Sequence, residues 1–125
     1  MELAEVAPFN KLLGLKVHQR SPERSEAELT VREERRGVLH GGAVMALGDT
    51  LGRMTASSSL PAGGRTATIE SNFFAAVHLG DTASAVCIPL HRGRTTVVLE
   101  TRITRGDGKL AAIVTQTQLL FEQKE

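Results

Sequence analysis

Residues 37 to 50 read GVLHGGAVMALGDT. A histidine, His40, stands directly before two glycines, Gly41 and Gly42, and a lone carboxylate, Asp49, interrupts the apolar stretch that follows. The first backbone N–H groups of a helix have no partner within it and carry the positive end of its dipole. Two glycines leave that end bare, so a ligand oxygen can approach the backbone. A phosphate, a carboxylate, or the oxyanion formed when a carbonyl is attacked would suit the place. The same residues also suit a plain helix start packed closely on a strand, with His40 as a hydrogen-bonding cap.

Asp49 narrows the choice. Val44, Leu47, Leu51 and Met54 recur at three- and four-residue intervals and form one apolar stripe from Gly41 to about Ser58. On a helical wheel Asp49 lies nearly opposite that stripe, on a face with Gly42, Met45, Ala46 and Arg53. A solvated carboxylate paired with Arg53 is the simple reading, worth a few tenths of a kcal/mol. The small and apolar neighbours fit a contact with another chain better. Gly41 and Asp49 are separated by about 12 Å of helix rise, too far for one carbonyl to touch both. Two such helices antiparallel in a two-fold dimer would bring Asp49 of one chain to Gly41 of the other.

Other elements must hold this helix. "APFNKLLGL" reads as a short amphipathic helix ended by Gly14, and "LKVHQRS" and "EAELTV" as strands joined by the turn "SPERS". "REERR" is a charged loop. After "SSSLPAGG" breaks the long helix, the period changes. "RTATIESNFFAAV", "DTASAVCIPL", "TTVVLETRIT" and "KLAAIVTQTQLLFE" are strand-like, the last two joined by the hairpin turn "RGDGK". The pattern predicts an α+β fold, an antiparallel sheet wrapped around one long central helix.

Composition excludes several classes. The 125 residues suffice for one domain, and 41% apolar, 23% charged and a net charge of +1 describe an ordinary globular chain. With that charge and 3% aromatics, nucleic-acid binding is not expected. One cysteine, Cys87, permits neither an internal disulfide nor a cysteine metal cage. No metal or cofactor is expected. No apolar run approaches a membrane span. The first five residues, MELAE, lack the basic run of a signal peptide, so the cytoplasm is the expected compartment.

Three segments, in order and at matching spacing, resemble the hotdog-fold thioesterase superfamily, specifically its phenylacetate-pathway and aromatic acyl-CoA branches. They are "GVLHGGAVMALGDT", "TATIESNFFAAVHLGD" and "PLHRGRT". Ala75-Ala76-Val77 replaces a proline usual in the second. The resemblance covers nearly the whole chain and implies a single hotdog domain over 1–125. It implies hydrolysis of an acyl-CoA, with an aromatic or medium-chain acyl group, to free acid and CoA. It also implies a dimer or a dimer of dimers (a homotetramer) with sites shared between subunits. Carried over by position, Gly41 supplies an N–H that polarises the thioester carbonyl, with Gly42 beside it. Asp49 of the partner chain is nucleophile or general base, Thr66 helps orient the attacking water, and His40 sits beside the thioester. Glu34 stands where relatives often carry Asn or Gln. Arg53 stands where some carry a small hydroxyl residue. Arg92 and Arg94 are candidates for the CoA phosphates, since a guanidinium suits a phosphate, although exposed loop charge explains them equally. A non-hydrolytic acyl-CoA binding protein on the same fold is the alternative. A hotdog dehydratase would need a His and carboxylate arrangement not seen here.

Overall fold

The computed structural model describes residues 14–31, 41–57 and 62–122. Its elements are β1 (Lys16–Gln19), β2 (Ser25–Thr30), α1 (Gly41–Ser57), β3 (Ala62–Phe73), β4 (Thr82–Arg92), β5 (Thr96–Thr104) and β6 (Leu110–Glu122). The six strands form one antiparallel sheet in the order β1-β2-β4-β5-β6-β3, and α1 lies against five of them. This is the expected helix wrapped by a sheet. The short helix proposed before Gly14 falls outside the described residues. Gly14 itself has φ 80°, a left-handed conformation that glycine adopts without a steric penalty.

The apolar stripe accounts for the packing. Leu47 and Leu51 are fully buried, and Val44 nearly so, in one cluster with Leu29, Ala85, Leu99, Ile103 and Val114 of the sheet, and Met54 is also buried. Truncating either leucine to alanine would cost about 2–5 kcal/mol. Two helix glycines set how close the sheet can come. A Cβ at Gly48 would lie 2.7 Å from Val114 Cγ1, and one at Gly52 would collide with the Gln116 amide. Four residues apart, the two glycines form a groove along α1 that receives neighbouring inward side chains of β6.

The "RGDGK" turn forms as expected. Gly108 has φ 85°, its N–H bonds to Arg105 O at 2.9 Å, and Asp107 accepts the Lys109 N–H at 2.9 Å. One expectation shifts: Gly63 and Gly64 belong to β3 rather than to a break, because that strand pairs with β6 back to Ala62. The strand β3 crosses to the far edge of the sheet and pairs with β6. That crossing places β3 beside the flank of α1.

Candidate active site

The site begins at the N-terminus of α1. Gly41 is its first residue, so its N–H has no acceptor within the helix. The Phe73 ring lies beside Gly41, 3.4 Å from where a Cβ there would stand, and Phe73 is itself 53% exposed. Gly42 is exposed.

Two turns along, Asp49 is half-buried rather than free in solvent. Its Oδ1 accepts a hydrogen bond from the hydroxyl of Thr66 on β3. Asp49 lies opposite the buried stripe on the helical wheel and still meets the sheet. The sheet curves round α1, and its edge strand β3 reaches the helix flank. Arg53, on the next turn, is exposed.

A β-bulge brings Thr66 there. Thr66 pairs with Gln118 and Thr68 with Thr117, so Ala67 is an extra residue in β3. Ile69 and Ser71 face inward after the bulge, and Gly64 and Thr66 are the better-buried positions before it. Strict alternation from Ile69 would have turned Ala67 inward and Thr66 out. The bulge shifts the phase by one residue and aims the hydroxyl at Asp49.

Behind Thr66 stand two buried amides. Gln118 Nε2 donates to Thr66 Oγ1 at 2.5 Å and to Gln116 Oε1 at 2.6 Å, and Gln116 Nε2 donates to the Gly48 carbonyl at 2.7 Å. Gln116 is 1% exposed and Gln118 not at all. Neither was singled out from the sequence. The signal was present: in "AAIVTQTQLL" both glutamines alternate in phase with Ala112 and Val114, placing polar groups on the apolar face of a strand. The Gly48–Gly52 groove, which gives Gln116 its room, also went unread.

Arg92 is engaged elsewhere. Its guanidinium donates to Ala56 O at 3.1 Å, Thr55 O at 3.3 Å and Pro22 O at 2.8 Å. Arg20 Nε reaches Met54 O at 3.3 Å. The last turn of α1 contains no basic residue of its own, so guanidinium groups from outside the helix satisfy its final carbonyls. That capping explains Arg92 without a phosphate ligand. Arg94 is exposed in the β4–β5 turn. His40 and Glu34 lie outside the described residues, so the structure does not place them relative to Asp49.

Cys87 contributes no reactive group to this site. It is a fully buried residue of β4, and burial pushes its thiol up from the ordinary range. Among the described residues no three His, Cys, Asp or Glu side chains converge to hold a metal, and no helix is long and apolar enough to cross a membrane.

With this geometry in view, comparison with known proteins is decisive for the family. Residues 36–112, more than half of the chain, match the thioesterase superfamily. The chain belongs to that superfamily. The fold of this thioesterase-superfamily chain is that of hotdog proteins. It is similar to a thioesterase from Haemophilus influenzae, at 25% identity and TM-score 0.85, covering 94% of this chain and 85% of that one. It is similar in fold to the PaaI protein of the E. coli phenylacetic acid degradation operon, at 20% identity and TM-score 0.87, covering 98% and 90%. A hypothetical thioesterase from Streptococcus pneumoniae, solved with coenzyme A, aligns at 24% identity and TM-score 0.79, covering 89% and 88%. Among curated proteins no match was found.

Proposed function

We propose that this chain hydrolyses acyl-CoA thioesters, with the Asp49 carboxylate as the reacting group. One observation carries the reading: the Thr66 hydroxyl donates to Asp49 Oδ1, on the flank of a helix whose bare N-terminus, at Gly41, is suited to an oxyanion. A carboxylate held by one oxygen keeps the other for chemistry. Oδ2 takes a proton from a water as that water attacks the thioester carbon. The carbonyl oxygen becomes an oxyanion beside the Gly41 N–H, and collapse of the tetrahedral intermediate expels the CoA thiolate. In the covalent variant Oδ2 itself attacks, and water then cleaves the resulting mixed anhydride. Thr66 acts on the carboxylate in either route, since its one hydrogen is committed to Asp49.

The roughly 12 Å of helix rise between Gly41 and Asp49 supports a site shared by two chains, within a homo-oligomer that is a dimer or a dimer of dimers. Gly41 and Gly42 come from one chain and Asp49 from its partner, with His40 and Glu34 near the thioester and Arg53 at the site's margin. Arg94 is the candidate for a CoA phosphate; Arg92, bound to helix carbonyls, is the weaker one. The coenzyme A bound to the Streptococcus pneumoniae relative supports the substrate class. The exposed Phe73 beside Gly41 suits an aromatic or medium-chain acyl group.

Thiol release from phenylacetyl-CoA, hydroxybenzoyl-CoA and a series of straight-chain acyl-CoAs tests the reading. Hydrolysis of at least one ester, abolished in Asp49→Asn, is the expected result. Tight binding of acyl-CoA with no thiol released would overturn it in favour of a non-hydrolytic binding protein.

A further inference from the structure

The two buried glutamines of β6 form a hydrogen-bond chain whose direction is settled at one end. A backbone carbonyl only accepts, so the Gln116 atom that meets Gly48 O is Nε2. Gln116 must then present Oε1 to its neighbour. An oxygen also only accepts in an amide, so the Gln118 atom 2.6 Å away is Nε2. That nitrogen has two hydrogens. One serves Gln116, and the other points at Thr66 Oγ1, 2.5 Å away. Thr66 therefore receives at its oxygen, and its own hydrogen turns to Asp49 Oδ1. Reversing any link would set two donors or two acceptors face to face.

We propose that Gln116 and Gln118 are positioning residues, which relay the fixed polarity of the Gly48 carbonyl to the Thr66 hydroxyl and so determine which oxygen of Asp49 is held and which is left to react. The proposal rests on the reading of Asp49 as the reacting carboxylate. It differs from a purely structural account of the glutamines. Two amides buried on an otherwise apolar face would be replaced by Leu or Met if packing alone mattered. Gln118 Oε1 finds no partner among the described residues. Meanwhile Gly52 is held to a hydrogen atom by the Gln116 amide. The anchor, Gly48, directly precedes Asp49 in α1, so the chain leaves the helix at one residue and returns to it at the next. The carboxylate is thus set relative to its own backbone, in a closed ring through β6 and β3.

The test combines kinetics with a measurement that needs no activity. Gln118→Met keeps the volume and removes both donors. It is expected to lower kcat about tenfold with KM within about twofold of wild type. Thr66→Val is expected to do the same, and Thr66→Ser to recover most of that loss. Because Gln118 acts through Thr66, adding Gln118→Met to Thr66→Val should cause no further loss. Wild-type kcat in folded Gln118→Met, or losses that multiply in the double variant, would overturn the proposal. If Gln118→Met does not fold, Gln116→Met breaks the same chain one link earlier and is judged by the same outcomes. Independently, the side-chain amide 1H–15N signals of Gln118 should move in Thr66→Val, and those of Gln116 should move in Gln118→Met. Unmoved signals would overturn the relay. Should Asp49→Asn hydrolyse acyl-CoA at the wild-type rate, the reading of Asp49 fails, while the amide signals still decide whether the relay exists.

Discussion

Thr66 on the edge strand and Asp49 on the central helix, seventeen residues apart in the chain, share one hydrogen bond. The carboxylate is an acceptor in that bond, and the strand supplying the donor is the one that crosses to the far side of the sheet. Removing the charge while keeping the shape isolates its contribution. Asp49→Asn should leave the fold intact, because the buried stripe is untouched, and should lower kcat by roughly two to four orders of magnitude. Asp49→Glu should retain part of the activity. Steady-state thiol release, with circular dichroism to verify folding, checks both.

The groove that admits β6 is sensitive to a single methyl group. Gly52→Ala sets a Cβ against the Gln116 amide, and Gly48→Ala sets one against Val114. Alanine favours helix by about 1 kcal/mol over glycine. Overpacking should outweigh that gain, leaving each variant about 1–3 kcal/mol less stable than wild type. Urea unfolding measures the difference; a stabilised Gly52→Ala would show that the helix and β6 can separate without cost.

The two arginines near the β4–β5 turn should separate cleanly. Arg92→Ala strips donors from the last carbonyls of α1 and should reduce stability by about 1–2 kcal/mol, with little change in KM. Arg94→Ala should instead raise KM for CoA esters at unchanged stability. That increase should shrink as salt is added, as expected for an exposed charge. Thermal unfolding and KM at two ionic strengths distinguish them.

Acid stability should register the β5–β6 turn. The Arg105 guanidinium, 2.6 Å from Asp107, and then the Lys109 N–H hold the Asp107 carboxyl down from 3.8 to about 2. A carboxyl lowered by folding contributes stability above its unfolded value and loses it as pH falls through its folded value. The stability difference between wild type and Asp107→Asn should therefore be constant above about pH 5 and narrow between pH 3.8 and about 2. The pair is exposed, so the difference is small and should diminish with salt. Denaturant titrations at stepped pH follow it.

Sharing of the site between chains can be read by complementation. Gly41→Val sets a branched side chain beside the Phe73 ring and should crowd the helix N-terminus. As homo-oligomers, it and Asp49→Asn should both be nearly inactive. Mixed dimers have one site combining an intact Gly41 with the partner chain's intact Asp49, so random exchange should restore about a quarter of wild-type activity. No recovery, with exchange verified by mass spectrometry, would place both groups in one chain.

Much of this protein is legible in local pattern. The 3.6-residue stripe of Val44, Leu47, Leu51 and Met54 requires one buried helix face, and the alternation in residues 95 to 122 requires strands. The Gly41-Gly42 start and the lone Asp49 make the helix the candidate place for chemistry, because glycine spacing and a stranded carboxylate are properties of a few neighbouring residues. What Asp49 meets depends on contacts that no local period encodes. Strand order carried β3 past β4 and β5 to pair with β6. The extra residue at Ala67 then reversed which side chains face inward, so that Thr66 rather than Ala67 reached the carboxylate. The role of the 92nd residue was likewise decided by where the end of α1 came to rest, since unpaired carbonyls there bind the nearest guanidinium. Gln116 and Gln118 look in sequence like polar residues on a strand. Only the close approach of β6 to Gly48 and Gly52 reveals them as a directed chain, because hydrogen-bond polarity is set by which donors and acceptors the fold brings face to face.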